Sequence, residues 1–459
     1  MIEKFYKVKS VVFVTPLEFV GDAISLSGLT GTKLKCDVVG RYYPFWWKIT
    51  SGGKALKYQK PTAIVELNAA TSEDYIKETG ETVLGSAGHA LELKVNHFND
   101  PTIDTTNLKV VLIENNPDCY NLLKKVIKRR WPSVSVDEAE GPLESNFTNI
   151  YLLNQNLDAA IATIENIDLG NAIYYFDPLR SVEWKAIESV ARKRIKSFCQ
   201  TGTEFMIFLF TSDWFLGRDE FAPLPMTLDE TKWSYDEKET VTEADALFGD
   251  QEWRRFILNS NPIQTRQKVL VEQYKMRLYK WFRYVLPMPF TPKKDQLFHL
   301  ILCSNYEAGV KVTKDFYDSI TGNPVYLPGR VHSNRAYTNF QTAHPEIIKG
   351  LKGNRRPLEW RILWKTIKYH EGGICDYLCK DFEDMERDES KVKSSMEWLH
   401  KNKYIELLKI KNAWNYAIDR YRLNWETIKE VLAIDPPPEL KPISPEEFTK
   451  FQWRKLFDI

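Results

Sequence analysis

From residue 63 onward, short apolar runs alternate with stretches whose apolar residues recur every three or four positions. The runs at 63–67, 109–113, 149–153, 172–176 and 204–210 have the length and the β-branched and aromatic content of buried strands. Between them, 84–93, 119–130, 158–166 and 182–198 carry the spacing of amphipathic helices. This β-then-α alternation predicts an α/β, Rossmann-like fold with a mostly parallel sheet and helices on both faces. A further strand is expected at 296–303, after helical stretches at 251–256 and 266–282. The acidic stretch 213–246, rich in Pro, Trp and Thr, reads as an excursion from the sheet, a lid.

At 321–357 the periodicity gives way to glycine and proline, which makes this stretch a connector. Beyond it, 358–370 places Trp360, Leu363, Trp364 and Ile367 on one helical face, and 374–379 forms a short helix. A third helix, capped by Asp388 or Ser390, carries Val392, Met396 and Leu399 before a strand at 404–410. Helix, helix, helix, strand is the order of a winged helix, so 358–412 is expected to be a winged-helix-like α+β module. The tail 413–459 holds Pro436, Pro437 and Pro438 and ends in a helical stretch. The organisation expected is an N-terminal extension (1–62), the sheet domain (63–320), the connector, the module and the tail. Within the extension, 32–49 is helical, with an aromatic cluster of Tyr42, Tyr43, Phe45, Trp46 and Trp47. Such a cluster serves as core more often than as a base-stacking platform.

Composition narrows the function classes. The 459 residues allow several domains, and 43 % apolar with 27 % charged residues is ordinary for a globular chain. A net charge of +1 gives no overall attraction to polyanions, so a nucleic-acid site has to be a local patch. The longest apolar runs, such as 205–210, are far shorter than the roughly 20 residues that span a bilayer, and the N-terminus lacks a signal-peptide pattern; a cytoplasmic location is expected. Six cysteines are too sparse for a disulfide scaffold. Cys375 and Cys379, with His370 nearby, read as helix-borne thiols rather than a metal site.

Doubly wound sheets bind ligands at the carboxyl ends of their strands. The first strand runs into Glu66-Leu67-Asn68-Ala69-Ala70-Thr71-Ser72, a slim loop without the glycine that close backbone approach to a cofactor favours. Non-glycine residues there are expected to avoid positive φ. Glu66, Asn68 and Ala69, with Gly85 of the segment Gly85-Ser86-Ala87-Gly88-His89, are the loop's cofactor candidates. His89 is either a base or a structural residue. At the end of the second strand, Glu114 is placed to accept from ribose hydroxyls, or to cap the helix that follows. After the third, Asn154, Asn156 and Asp158 either meet an adenine edge or cap a helix, Asp158 being the favoured cap. After the fourth, Asp177 and Pro178 form an acceptor and a rigid carbonyl that can orient a planar amino group for methyl transfer, and these are the catalytic candidates.

Several of these segments together resemble the three-Cys-motif partner proteins. The resemblance rests on the run from Ala63 to Ser72, the Thr79 to Leu91 stretch, Leu112-Ile113-Glu114-Asn115 and Phe176-Asp177-Pro178. It also takes in Leu247-Phe248-Gly249 before Trp253, the Tyr274 to Leu278 and His299 to Gly309 segments, and the lysine-containing helix from Lys33 to Trp47. It spans about residues 33–320. It implies a Rossmann methyltransferase fold, S-adenosylmethionine as cofactor, and a companion protein with three cysteines typical of radical iron–sulfur chemistry. Where the family has a Phe-Ala-Gly-x-Gly-like loop, this chain has Asn68-Ala69-Ala70-Thr71-Ser72.

In the C-terminal module, Lys391 and Lys393 on the third helix and Arg355 and Arg356 just before it are the nucleic-acid candidates. Over 351–412 there are 14 Lys and Arg against 11 Asp and Glu, a mild excess. The basic run Lys124, Lys125, Lys128, Arg129 and Arg130 reads as a solvated helix end. Three functions follow as expectations: a methyltransferase acting on DNA or RNA; a catalytically inactive Rossmann scaffold that binds nucleic acid or the iron–sulfur companion; and, third, a nuclease with Glu92 and Lys94 beside Glu66 or Asp74.

Overall fold

The computed structural model describes residues 6–8, 11–13, 19–20, 23–26, 30–51, 61–76, 79–96, 107–132, 134, 137–138, 150–164, 169–177, 182–195, 202–217, 222–258, 263–293, 296–321, 358–359, 362–363, 366–367, 389–411 and 417–432. They fall into two compact units. The first comprises residues 1–251 and 284–321, and the second comprises 252–283 and 322–459.

The sheet of the first unit is built on five strands expected from the sequence: β5 (Thr62–Leu67), β8 (Leu108–Ile113), β10 (Ile150–Leu153), β11 (Asn171–Phe176) and β12 (Thr203–Leu209). All five are parallel, and their residues are buried almost without exception, as the strands of a sheet covered on both faces must be. The expected strand at 296–303 is β14 (Gln296–Ser304), which runs antiparallel to β12. Beyond it lies an edge strand that the alternation does not reveal, β13 (Tyr284–Lys293), with Pro287, Pro289 and Pro292. Proline cannot donate to a ladder, and an edge strand tolerates that. With the two-residue β9 (Asp137–Glu138) on the far edge, the order is β13-β14-β12-β11-β5-β8-β10-β9. With the short β9 left out and the other seven strands of this sheet numbered in chain order from β5, they lie in the order 6-7-5-4-1-2-3 with the seventh reversed, the arrangement of an α/β methyltransferase-like fold.

A smaller four-stranded sheet departs from the sequence expectation. β3 (Phe19–Val20), β4 (Ala23–Leu26), β6 (Glu73–Ile76) and β7 (Glu81–Leu84) pair in that order. The hairpin β6–β7 occupies the excursion between β5 and its helix. β1 (Tyr6–Val8) and β2 (Val11–Phe13) form a separate hairpin.

Helix α1 (Thr30–Ser51) packs against α2 (Ser86–Asn96) and α10 (Glu307–Thr321), with Phe45 edge-on to Phe316 at 6.0 Å. Its aromatic cluster is core: Tyr42, Tyr43, Trp46 and Trp47 are all buried. α3 (Pro117–Arg130) starts at Asn116, whose side chain accepts from the amides of Asp118 and Cys119, with proline at the first helical position. Its basic end is partly used inside the fold, since Arg129 and Arg130 both pair with the buried Glu73. α4 (Leu157–Ile164) and α5 (Trp184–Ile195) pack together, and α5 also meets α7 (Tyr235–Phe248). The stretch 213–246 closes on itself through α6 (Asp213–Leu216), a bond from Leu224 N to Trp214 O at 2.7 Å, and α7, which a capping box of Ser234 and Glu237 opens and Gly249 at φ 74° ends.

The second unit holds α8 (Arg254–Ile257), α9 (Ile263–Leu278), α11 (Glu389–Lys401), the hairpin β15 (Ile405–Lys411) with β16 (Ala417–Leu423), and α12 (Trp425–Leu432). Its core joins Ile362, Leu363 and Ile367 to Val392, Met396 and Leu399 of α11, Ile405, Tyr421 and Leu423 of the hairpin, and Trp425 and Ile428 of α12. Lys391 and Lys393 stand exposed on α11. Arg355, Arg356, His370, Cys375 and Cys379, and the stretch 374–379, lie outside the described residues. No helix among the described residues is long and apolar enough to cross a membrane.

Candidate active site

Three side chains of α1 reach acidic groups on or just beyond three neighbouring strands. Tyr42 donates to Glu204 of β12, Tyr43 donates to Glu66 of β5, and Lys35 pairs with Asp177 one residue beyond β11. Each of the two glutamates takes a second hydroxyl: Ser304 to Glu204 at 2.6 Å and Ser86 to Glu66 at 2.8 Å. Burial pushes the carboxyl of Glu66 up to about 8 and that of Glu204 up to about 7, against the hydroxyls that favour their charged forms. Glu66 has no exposed surface. Its place at a strand end marks it in the sequence as a cofactor contact; it is instead the anchor that fastens α1 and α2 to the first strand.

Lys35 is 5 % exposed, and its Nζ lies 2.6 Å from Asp177 Oδ2 and 4.3 Å from the centre of the Phe208 ring. Burial works against the charge on Lys35, but Asp177 beside it, together with Cys36 and Asp74, outweighs that cost and holds the ammonium above its ordinary value. The Tyr175 hydroxyl donates to the same Oδ2 at 3.4 Å. Both donors therefore converge on one carboxylate oxygen, and Oδ1 has no partner among the described residues. Pro178 lies outside them.

The loop after β5 corrects the sequence expectation. Asn68, Ala70 and Ser72 all take positive φ, 118°, 50° and 61°, although none is glycine. The tight course a glycine-rich loop would follow is kept, and strained residues bear it. The bonds around it explain the persistence: Asn68 N and Ala69 N donate to Ile113 O, Ala70 N donates to Glu114 Oε2 at 2.8 Å, and Gly85 N donates to Ser72 O at 2.9 Å. Gly88 is needed for that approach, because a Cβ there would come within 2.5 Å of Ser72 O. His89 packs its ring against Gly40 of α1, and burial lowers it to about 4, so it is a neutral packing residue at neutral pH.

Glu114 is buried at the end of β8 and accepts from the amides of Ala70 and Asn116, the latter at 2.7 Å. Burial raises its carboxyl above the ordinary value, against these backbone donors. Asn116, not Glu114, caps α3. Asn154 Nδ2 donates to Glu114 O at 2.8 Å. Asn156 caps α4 by accepting from Ala159 N at 2.9 Å, whereas Asp158, expected to be that cap, is exposed in the first turn and 3.6 Å from Lys185. Among the described residues no group of three or more His, Cys, Asp or Glu is placed to hold a metal ion, and Glu92 of the nuclease grouping accepts from Trp131 Nε1 at 3.0 Å.

A nucleoside cofactor fits this strand edge on two counts. The Ser72 hydroxyl, on a residue 2 % exposed, is without a partner among the described residues, an orphan that buried polar groups rarely remain. The Glu114 carboxylate accepts the Ala70 amide on one oxygen and the Asn116 amide on the other, and a carboxylate offers about four acceptor positions. Lys35 and Tyr175 carry no strand-end signal of their own in the sequence, and Asp74 enters it only beside Glu66 in the nuclease grouping. Lys35 is brought there by α1 and Asp74 by the β6–β7 hairpin, whereas Tyr175 lies on β11 itself. The lysine-containing helix at 33–47 is the one signal the sequence offers for Lys35.

No protein-family model matches the chain, and no curated protein matches it. Solved structures give distant likenesses. The protein LPL1258 from Legionella pneumophila is 9 % identical over 64 % of this chain and 92 % of its own, with a TM-score of 0.34. Trm1 from Pyrococcus horikoshii, in complex with S-adenosyl-L-methionine, is 10 % identical over 91 % of this chain and 99 % of its own, at 0.32. The N-terminal domain of EvdMO1 with SAH bound is 12 % identical over 58 % and 81 %, at 0.26. The methyltransferase-like fold rests on the strand order of this chain's own sheet, and the three-Cys-motif partner resemblance remains one of short motifs.

Proposed function

We propose that the chain is an S-adenosylmethionine-dependent methyltransferase that modifies an amino group of a nucleic-acid base. One observation carries this reading: Lys35 and Tyr175 both engage Asp177 Oδ2, which leaves Oδ1 open at the carboxyl edge of the sheet. When bound, S-adenosylmethionine supplies an electrophilic methyl group. The loop from Asn68 to Ser72, with Glu114, holds it. Asp177 Oδ1 accepts one N–H of a planar amine and so turns the nitrogen lone pair toward the incoming carbon. The Lys35 ion pair fixes the rotamer of Asp177, and the Phe208 ring shields that pair from water. Nucleic acid is the proposed acceptor because the C-terminal unit, read as a winged helix, exposes Lys391 and Lys393 on α11. Transfer of radiolabelled methyl from S-adenosylmethionine to denatured DNA or total RNA tests the reading: Asp177→Ala abolishes incorporation while the cofactor still binds, and unchanged incorporation removes Asp177 from the reaction.

A second reading is a non-catalytic Rossmann scaffold, partner to a radical iron–sulfur protein. Its support is the inward engagement of Glu114 by Ala70 and Asn116.

A further inference from the structure

The acids around the strand ends of the first unit have protein partners, and a half-buried one beside them has none among the described residues. Glu66 has Tyr43 and Ser86, Glu204 has Tyr42 and Ser304, and Glu114 has two backbone amides. Glu73 has Arg129 and Arg130, and Asp177 has Lys35. Asp74, next to Glu73 on β6, is half-buried, and its carboxylate makes no hydrogen bond or ion pair among the described residues. Its oxygens are open to solvent, and no donor among the described residues fixes them.

Its position suggests a role. Asp74 lies two residues past the strained loop, and the bare Cα of Gly85 leaves room beside it: a Cβ there would stand 3.5 Å from Asp74 Oδ2. The charged groups that act on it are Lys35 of α1 and Asp177 beyond β11, so the open carboxylate belongs to the same constellation as the open oxygen of Asp177. Its strand partners are Ile24 of β4 and Val83 of β7, which bring no further charge. We infer that Asp74 is the proton acceptor of the methyl-transfer reaction proposed above, on which this assignment rests.

The balance of the step needs such a group. When a neutral amine nitrogen forms its bond to the methyl carbon and the sulfur–carbon bond breaks with its electron pair leaving on sulfur, the nitrogen becomes cationic and must lose a proton. Asp177 is engaged in orienting that nitrogen and in pairing with Lys35. Asp74 takes the proton on its carboxylate and, being only half-buried, passes it to water. Burial, partly offset by Lys35 and reinforced by Asp177, pushes the Asp74 carboxyl up to about 6, close to the working range of a general base at neutral pH.

Three measurements test this together. First, calorimetry with S-adenosylmethionine on wild type and on Asp74→Asn: equal affinity is expected, and absence of binding to wild type overturns the functional reading and this inference with it. Second, methyl incorporation into denatured DNA and total RNA as a function of pH. Asp74→Asn should lower turnover at least about tenfold, toward the hundredfold that a positioned proton acceptor supplies, and should erase the ionisation near pH 6, while Asp74→Glu restores part of the rate. Turnover and pH profile unchanged in Asp74→Asn, with cofactor binding intact, overturn the inference alone. Third, NMR of aspartate labelled at its carboxyl carbon in the ligand-free protein: one signal titrating near 6 and missing from Asp74→Asn supports the assignment, whereas an Asp74 signal titrating in the ordinary carboxylate range contradicts it.

Discussion

Lys35 and Asp177 stand 142 positions apart in the chain, yet Nζ and Oδ2 meet at 2.6 Å, with the lysine side chain 6 % and the aspartate side chain 22 % exposed. The pair ties α1, the helix that precedes the sheet, to the residue just beyond β11. It also divides the aspartate into one oxygen held by Lys35 and Tyr175 and one without a partner among the described residues.

Breaking that pair from one side strands a buried charge. Lys35→Met is expected to lower stability by roughly 3 kcal/mol, the low end for removing one partner of a buried ion pair because Asp177 keeps some water. Lys35→Met combined with Asp177→Asn should recover part of the loss, and chemical denaturation of the four variants forms the cycle that checks it. Simple additivity of the two losses would show that the pair contributes nothing.

The loop after β5 supplies a prediction of opposite sign. Ala70 and Ser72 sit at φ 50° and 61°, where an L side chain costs about 1–2 kcal/mol. Ala70→Gly and Ser72→Gly relieve that strain and give back about 0.5–1 kcal/mol as glycine's unfolded-state entropy. Each variant should therefore be as stable as wild type or more stable, by up to about 1.5 kcal/mol. A lower thermal midpoint in both would mean that the loop does not take this course.

That loop also marks how far the fold is legible in the sequence. The five parallel strands are legible because strands covered on both faces must be apolar throughout, as in Ala63-Ile64-Val65 and Phe205-Met206-Ile207. The edge strand β13 is hidden by its prolines, and the β6–β7 hairpin by polar residues such as Glu73, which is buried in ion pairs with Arg129 and Arg130, and the half-buried Asp74. Asp177 and Glu114 stand out because strand ends are where such folds place ligands. Asn68, Ala70 and Ser72 mislead because their local propensity is overridden by bonds involving Ile113, Glu114 and Gly85, which lie further along the chain.

The two buried glutamates fix the response to alkali. Glu66 and Glu204 are raised from the ordinary 4.5 to about 8 and about 7, so their contribution to stability is full below about 4.5 and is lost as pH rises through those values. His89 is lowered from 6.5 to about 4, so its contribution is full above 6.5 and is lost as pH falls through about 4. Thermal unfolding across pH should accordingly show a maximum on the acid side of neutrality and a fall toward alkali, and Glu66→Gln should flatten that fall. Stability that climbs steadily from neutral to alkaline pH would contradict the assignment.

The exposed lysines of α11 give a salt-dependent prediction. If Lys391 and Lys393 meet phosphates, replacing both by glutamine weakens binding to a duplex or a single strand alike. It also reduces the slope of log affinity against log salt by about 0.7–0.9 for each phosphate no longer neutralised. Fluorescence anisotropy with labelled oligonucleotides reads both quantities. An unchanged slope places the nucleic-acid surface elsewhere.

The proposed function requires that the purified chain bind S-adenosylmethionine, and isothermal titration tests this most directly. Saturable binding that Asp177→Ala leaves in place, and that Glu114→Ala weakens at least about tenfold, roughly 1.4 kcal/mol, is the predicted result. No heat of binding at millimolar ligand would contradict it.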